Sequence, residues 1–469
     1  MVFSSIFFLY LFLPVTCVGY FLLPARARNL WLFLISLLFY GWGEPVYISI
    51  MLFSTVFDYC NGRLIHYFDQ NGKRETFGRA FLVLSVVGNL AILGFFKYSD
   101  FFLETVHGVF GLEVSPIGLA LPIGISFYTF QTMSYTIDVY RRQTSVQKNI
   151  IAFGMYVSMF PQLIAGPIVR YQTVAEQIDH RQFTPEGAAK GMQRFLIGLG
   201  KKVLFANQIG VAFDELSGLH NGDVTFSIAW LMVLCFTFQI YFDFSGYSDM
   251  AIGLGMIFGF SFPENFRYPY ESYSITEFWR RWHMTLSTWF REYVYIPLGG
   301  NRKGVARQII NLAIVWFLTG LWHGAAWNFV LWGIYYFVLL VLEKFVLGKV
   351  LSRIPRPVRQ VLTMIFVVFG WGIFAFTEPE VLGQWMRALC GIGVPFGNAL
   401  ALYEWRRWVL FLLVLLVAST SLPKRLVCRI VKREGVRFGL GCMFALVLLV
   451  VSTAFLVSGS YNPFLYFRF

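Results

Sequence analysis

Two histidines lie in or beside long apolar stretches of the sequence, where an ionisable side chain is costly to place. His323 lies in segment 320–324, Gly-Leu-Trp-His-Gly, within a stretch (309–342) that contains no Asp, Glu, Lys or Arg. His283 ends segment 279–283, Trp-Arg-Arg-Trp-His. An ionisable residue inside a membrane costs free energy and is therefore a functional candidate by default. Because a neutral imidazole can take a proton from a hydroxyl group, we predict that His323 is a general base.

Each histidine also has a purely structural interpretation. His323 could be a buried residue that only packs, although the two glycines beside it favour close approach of a backbone or a ligand. His283 could be a polar residue of the membrane interface whose ring bonds to the backbone. The remaining histidines fall in predicted loops or interfacial segments, where solvated side chains are expected: His66, His107, His180 and His220.

Other familiar catalytic motifs are absent from the sequence. Segment 243–247, Asp-Phe-Ser-Gly-Tyr, lacks the first glycine of the hydrolase nucleophile elbow. Segment 198–202 lacks the earlier glycine and the Ser or Thr of a phosphate-binding loop. The cysteines form no C-x-x-C pair and no H-E-x-x-H segment occurs, so we expect neither a metal site nor a disulfide framework.

The composition indicates a polytopic membrane protein made of α-helices. Hydrophobic residues make up 57% of the 469 residues and charged residues 13%, against about 25% charged in soluble proteins. Several apolar runs approach the roughly 20 residues that span a bilayer, whereas a β-barrel would show short alternating segments. The net charge of +13 comes mostly from basic loops between these runs. We attribute this charge to the tendency of basic loops to lie on the cytoplasmic side of a membrane and not to nucleic-acid binding. The lipid bilayer is therefore an expected partner.

The apolar runs predict one membrane-embedded domain over residues 1–469. We expect roughly ten to thirteen transmembrane or re-entrant helices, since several runs are too short to span alone. The distribution of charge places both termini outside the cytoplasm, with residues 458–469 as an extracytoplasmic tail.

Two segments of this domain must position the candidate residues. The stretch 309–342, which carries His323, predicts either two short helices or one span that breaks at 320–324. The polar segment 243–249 predicts the end of another span, followed by a short re-entrant or broken helix over 251–262.

Three segments of the chain resemble one enzyme family. Segments 280–290 and 318–324, which carry the two histidines, and segment 241–249 are similar to motifs of the membrane-bound O-acyltransferase (MBOAT) superfamily. The likeness is closest to the bacterial branch that contains alginate O-acetyltransferases and teichoic acid D-alanyltransferases. The opening residues 1–5 also resemble that branch. Segment 464–469, Phe-Leu-Tyr-Phe-Arg-Phe, fits the F-x-Y-x-x-F pattern found at the end of these enzymes or of their small partner peptides.

The resemblance implies a ring of tilted helices around a central tunnel, with His323 as the catalytic histidine and His283 as the second one. It implies acetyl-CoA from the cytoplasm as the donor substrate and no permanently bound cofactor. Arg280 and Arg281 would meet the anionic donor at the tunnel mouth, where arginine suits phosphate recognition. Two arginines at a membrane face are equally typical of a topology signal.

Tyr466 is the acyl acceptor that the resemblance implies. It would take the acetyl group and present it to an extracytoplasmic SGNH-hydrolase-like transferase, which O-acetylates an exopolysaccharide or cell-wall glycan. The chain would then be a multi-pass protein of the bacterial inner membrane. The alternative for Tyr466 is an aromatic residue of the membrane interface.

Three other functions stay open at this point. The first, on the same fold, is D-alanyl transfer from a carrier protein to teichoic acid. The second is polysaccharide transport, against which the sequence shows no internal repeat and no chain of intramembrane acids. The third is a non-catalytic scaffold, in which both histidines would be dispensable.

Overall fold

All regular secondary structure in the described part of the chain is helical, as predicted. The computed structural model describes residues 1–111, 115–219, 222–459 and 464–465. Its α-helices, in chain order, are α1 Leu13–Leu22, α2 Ala25–Gly41, α3 Ile48–Gln70, α4 Arg79–Phe110, α5 Ile125–Tyr140, α6 Ile150–Ser158, α7 Phe160–Leu163, α8 Tyr171–Asp179, α9 Pro185–Gly200, α10 Asn207–Ser217, α11 Phe226–Ile257, α12 Ile275–Arg281, α13 Met284–Phe290, α14 Val305–His323, α15 Trp327–Val341, α16 Gly348–Leu351, α17 Arg356–Ala375, α18 Pro379–Leu389, α19 Ala399–Ala418, α20 Leu422–Ile430 and α21 Glu434–Ser458. Several of them continue into or out of π-helical turns, at Phe8–Phe12, Arg74–Gly78, Lys201–Ala206, Arg291–Tyr295 and Leu342–Val346.

Seven helices within the described ranges are long and apolar enough to cross a membrane. They are Arg74–Phe110, Pro185–Ser217, Phe226–Ile257, Val305–His323, Trp327–Val346, Arg356–Ala375 and Glu434–Ser458. An eighth span results if α19 and α20, which are bent by 64° at the break between them, count as one. The apolar helix Phe8–Leu22 is shorter than a bilayer crossing requires. The expected ten to thirteen transmembrane or re-entrant helices are therefore not confirmed by this count.

The described residues cluster into two compact units. The first comprises Met1–Phe195 and Tyr247–Pro263, and the second comprises Leu196–Gly246 and Glu264–Phe469. Both candidate histidines belong to the second unit. A single domain over residues 1–469 stays a prediction.

In the first unit, helices α3, α4 and α5 enclose a buried polar cluster around Asp58. The Asp58 carboxylate accepts hydrogen bonds from the Ser85 hydroxyl and the Asn89 amide, each at 2.6 Å, and Ser85 also bonds to the Thr136 hydroxyl at 2.8 Å. A buried carboxylate needs such donors because burial removes its water. The cluster therefore fixes the register of three helices.

Helix α11 runs without a break through the polar segment 243–249. The predicted end of a span there, and the separate re-entrant or broken helix over 251–262, are wrong, because α11 continues to Ile257. In the second unit, Asp243 pairs with Lys202, with 2.6 Å between Oδ1 and Nζ. Because the charge of Asp243 has a partner, the helix can carry it through apolar surroundings. Asp243 in this segment therefore marks an ion pair with Lys202 and not a turn of the chain.

Helices α14 and α15, also in the second unit, form the two-helix arrangement that was one of the alternatives for this apolar stretch. They cross at two glycines. A Cβ atom at Gly320 would overlap the backbone carbonyl oxygen of Phe329, and one at Gly333 would overlap that of Trp316. Small residues allow helix backbones to approach this closely in a membrane. Because α14 ends at His323, this crossing sets where the imidazole lies.

We expect Gly320→Ala to lower the thermal stability of the protein, because the added methyl group meets a backbone carbonyl that has no freedom to rotate away. Overpacking of this kind costs about 1–3 kcal/mol. Gly435→Ala in α21 is the matched control, since a Cβ atom there meets nothing within 4 Å. The two variants are compared by heating them in detergent and measuring, by size-exclusion chromatography, the fraction that stays folded at each temperature. A midpoint for Gly320→Ala equal to that of Gly435→Ala would contradict the close crossing.

Candidate active site

His323 is the last residue of α14 and is enclosed by aromatic rings. It is 7% exposed. Its ring centroid lies 5.0 Å from that of Trp332 and 5.3 Å from that of Phe374, and both contacts are nearly perpendicular, at 80° and 83°. A Cβ atom at Gly324 would overlap the Phe329 ring, so the turn after His323 requires glycine. These contacts fix the direction in which the imidazole points.

His323 faces a partly open cavity with an empty volume of about 370 Å³. His323 and Asp243 are the ionisable residues of its described lining, and the others are apolar or aromatic: Ile240, Phe244, Trp282, Trp371, Phe374, Phe464 and Leu465. A cavity with such walls can hold a reactant while excluding water, which would otherwise hydrolyse a reactive acyl group.

His283 lies at the junction between α12 and α13, where the backbone turns sharply. It is 1% exposed, and its backbone is left-handed, with φ 43° and ψ 53°. Residues other than glycine adopt this conformation rarely, and it persists only where the surroundings enforce it. Here the N–H of the next residue, Met284, donates to the backbone carbonyl of Asn265 at 2.9 Å. That bond holds the start of α13 in place.

The tautomer of His283 follows from its hydrogen bond to Asn265. The Asn265 Oδ1 atom accepts from the backbone N–H of Thr285 at 3.3 Å and from the Thr285 hydroxyl at 2.9 Å. A backbone N–H can only donate, so the amide atom that faces it must be the oxygen. The same oxygen lies 3.1 Å from His283 Nδ1. Nδ1 therefore carries the hydrogen, and Nε2 of the neutral ring carries the lone pair.

The two predicted catalytic histidines belong to one aromatic cluster. The Trp322 ring contacts both, with centroid distances of 5.7 Å to His283 and 5.1 Å to His323. Phe244, which lines the cavity, packs edge-on against His283 at 4.7 Å. Of the two histidines, His323 is the one that lines the cavity, and His283 lies behind Phe244. This geometry suits a direct role for His323 and a supporting role for His283.

The two predicted donor-binding arginines lie on α12 and are not among the described residues that line the cavity. Arg281 is held by two carboxylates, with 2.5 Å to Glu277 and 3.8 Å to Glu271. Arg280 is exposed. Arg281 thus fastens α12 to its surroundings, while Arg280 presents its guanidinium at the surface. Donor binding by either arginine stays a prediction.

A buried ion pair at the cavity was missed from the sequence. Asp243 is 2% exposed and Lys202 5%. Besides its bond to Lys202, Asp243 accepts the backbone N–H of Leu465 on Oδ2 at 2.6 Å. The signal that could have found Asp243 is an acidic residue within an apolar run, which marks either a function or a buried partner. Tyr466, the predicted acceptor, lies outside the described residues.

Comparison with known proteins assigns the chain to a family. The model of the MBOAT, membrane-bound O-acyltransferase family, matches residues 139–383, more than half of the chain, and this range includes both histidines. The chain belongs to the membrane-bound O-acyltransferase family and is an acyltransferase. The resemblance seen in the sequence motifs is confirmed.

Individual relatives differ in the acyl group and the acceptor that their names give. The chain is 43% identical over 397 residues to the probable alginate O-acetylase AlgI of Azotobacter vinelandii. The matched region covers 84% of this chain and 79% of that protein. It is 34% identical over 431 residues to the peptidoglycan O-acetyltransferase of Helicobacter pylori, covering 84% and 80%. The teichoic acid D-alanyltransferase of Bacillus subtilis is 28% identical over 281 residues, covering 55% and 70%.

Acid should destabilise the protein through His283. Burial lowers the pKa of His283 to about 3, whereas an unfolded histidine takes up a proton below about pH 6.5. The unfolded state therefore binds more protons between these values, and the free energy of unfolding falls as the pH falls, by at most about 1.4 kcal/mol per pH unit.

We expect His283→Gln to flatten this fall in stability, measured as thermal midpoints in detergent between about pH 6.5 and pH 4. His180→Gln, at an exposed histidine, is the matched control and should keep the wild-type slope. The same slope in His283→Gln as in wild type would contradict a neutral, buried imidazole at position 283.

Proposed function

We propose that the chain transfers an acetyl group from cytoplasmic acetyl-CoA to an acceptor hydroxyl, for O-acetylation of an exopolysaccharide or a cell-wall glycan. The observation that carries the proposal is the place of His323 at a cavity that Phe464 and Leu465, two residues of the tail, also line. Family membership supports acyl transfer. The relatives named for alginate and peptidoglycan O-acetylation support acetyl as the group and a glycan as its destination.

His323 acts as the general base in this proposal. Its neutral imidazole takes the proton of the acceptor hydroxyl as the hydroxyl oxygen attacks the thioester carbonyl of acetyl-CoA. A carbon–oxygen bond forms, the carbon–sulfur bond breaks, and the imidazolium returns the proton to the departing thiolate. The apolar cavity walls limit competition from water. His283 assists indirectly, because it packs against Phe244 and Trp322.

Tyr466 is the proposed first acceptor, so that the chain carries the acetyl group on its own tail. The support comes from its described neighbours, since Phe464 and Leu465 line the His323 cavity. A phenol has a pKa near 10 and is a weak nucleophile at neutral pH, so it needs a base of the kind that His323 supplies. From Tyr466 the acetyl group passes to an extracytoplasmic SGNH-hydrolase-like transferase, which modifies the glycan.

In this proposal the protein spans the inner membrane of a bacterium, with both termini on the extracytoplasmic side. The support is the set of apolar helices in the described residues, together with basic segments such as 424–437 that mark a cytoplasmic face. Arg280, which is exposed, meets the phosphates of acetyl-CoA directly. Arg281 contributes by holding α12 through its carboxylate partners.

Replacing the base should stop transfer without removing the protein from the membrane. With labelled acetyl-CoA added to membranes, we expect His323→Ala to reduce acetylation of Tyr466 by at least about 100-fold, the usual contribution of a general base. His180→Ala, at an exposed histidine, is the matched control and should label normally. Mass spectrometry of the tail peptide gives the yield. Undiminished labelling of His323→Ala would refute the base, and acetylation of the glycan by Tyr466→Phe would refute the relay.

The same membranes separate the rival functions. Labelling from a D-alanyl carrier protein but not from acetyl-CoA would indicate the D-alanyl transfer for which the Bacillus subtilis relative is named. Uptake of unmodified polysaccharide into vesicles without any acyl donor would indicate a transporter. Full glycan acetylation in cells that carry His283→Ala together with His323→Ala would indicate a scaffold.

A further inference from the structure

We infer that Asp243 is a positioning residue that anchors the main chain of the tail at the His323 cavity and so sets which tail residue meets the base. Its meaning for catalysis rests on the proposed function, but the anchor itself can be measured independently. Three features of the second unit support it: the two bonds of the Asp243 carboxylate, the contact of Phe464 with the cavity wall, and the burial of Asp243 and Phe464.

The two oxygens of Asp243 have different partners. Oδ1 pairs with Lys202 Nζ at 2.6 Å, and Oδ2 accepts the N–H of Leu465 at 2.6 Å. Hydrogen bonds to an ionised carboxylate are shorter and roughly twice as strong as bonds between neutral groups. The Lys202 ammonium group compensates the charge of Asp243 in apolar surroundings. Lys202 thus leaves the second oxygen available as a charged acceptor for the tail.

Apolar contacts hold the same segment against the cavity wall. The Phe464 ring lies 5.8 Å from the Phe244 ring, at an angle of 61°. Phe464 and Leu465 are 5% and 6% exposed. Apolar contact alone is non-directional, so by itself it would allow Phe464 and Leu465 to shift along the wall by one residue.

The bond to Asp243 removes that freedom. It selects one N–H group, that of Leu465, and so fixes the register of Phe464 and Leu465 against the cavity wall. Asp243 contacts the tail through the main chain of Leu465 and not through its side chain. The anchor therefore tolerates a change of the Leu465 side chain but not the loss of its N–H group. Proline is the residue that lacks this group.

Hydrogen–deuterium exchange of the tail peptide that contains Leu465 tests the anchor without any acyl transfer. Two double variants form a matched pair: Lys202→Met with Asp243→Asn, and Lys202→Met with Asp243→Leu. Both are neutral, and Asn and Leu have the same branching and number of heavy atoms at position 243; uncharged replacements of a buried ion pair are commonly tolerated. They differ in whether residue 243 offers an acceptor oxygen.

We expect the Asn form to protect the Leu465 amide and the Leu form to exchange about tenfold faster, the loss typical of one buried hydrogen bond. Exchange in α21 (Glu434–Ser458) should be the same in both, which reports an intact fold. Equal exchange at Leu465 in the two forms would overturn the anchor.

A second pair of variants acts from the side of the tail and leaves the Lys202–Asp243 pair intact. Leu465→Ala and Leu465→Pro both shorten the apolar side chain, but only proline removes the N–H group. We expect about tenfold less acetyl on Tyr466 in the proline form than in the alanine form. Equal yields from the two variants, in membranes where the wild-type protein is acetylated on Tyr466, would overturn the anchor.

Acetylation of Tyr466 and hydrogen–deuterium exchange at Leu465 test the relay and the anchor separately. If wild-type membranes place no acetyl group on Tyr466 but the exchange pair behaves as expected, the proposed relay is wrong and the anchor stands. If Tyr466 is acetylated and the exchange pair shows no difference, the relay stands and the anchor is wrong.

Discussion

A titratable group that is removed from water needs a partner for its charge or its hydrogen bonds, and this requirement shapes the site in the second unit. Asp243 is 2% exposed and satisfies both oxygens, one with the Lys202 ammonium group and one with the Leu465 amide. His283 directs Nδ1 at Asn265, whose side-chain oxygen also takes two hydrogen bonds from Thr285. Because these groups are held by their neighbours, their orientation is set before any reactant arrives.

Packing sets the position of His323. The α14–α15 crossing depends on Gly320 and Gly333, where any side chain would meet a backbone carbonyl. The His323 ring then packs against both Trp332 and Phe374 and lines the cavity. A small shift of either helix would move the imidazole, and misplacement of about 1 Å in a catalytic group can cost about 100-fold in rate.

The sequence was sufficient to predict the helical membrane class, because solid apolar runs and basic loops leave few other interpretations. His323 could be found because an ionisable residue amid apolar ones is conspicuous. The continuity of α11 could not be predicted, since whether Asp243 ends a helix depends on Lys202, which lies on a different segment. The tautomer of His283 and the contact between Leu465 and Asp243 also depend on residues far apart in the chain. Donor binding by Arg281, which the resemblance implies, stays a prediction, and its contacts with Glu277 and Glu271 could not be read from the sequence.

Chemical rescue tests the central role of His323 most directly. The rate of acetyl transfer to Tyr466 would be measured in membranes that carry His323→Ala, with increasing concentrations of free imidazole. If His323 is the base, the rate rises with the concentration of neutral imidazole and falls again as acid protonates it. Equal rates with imidazole and with pyrrole, a ring of similar shape that has no basic nitrogen, would contradict the account.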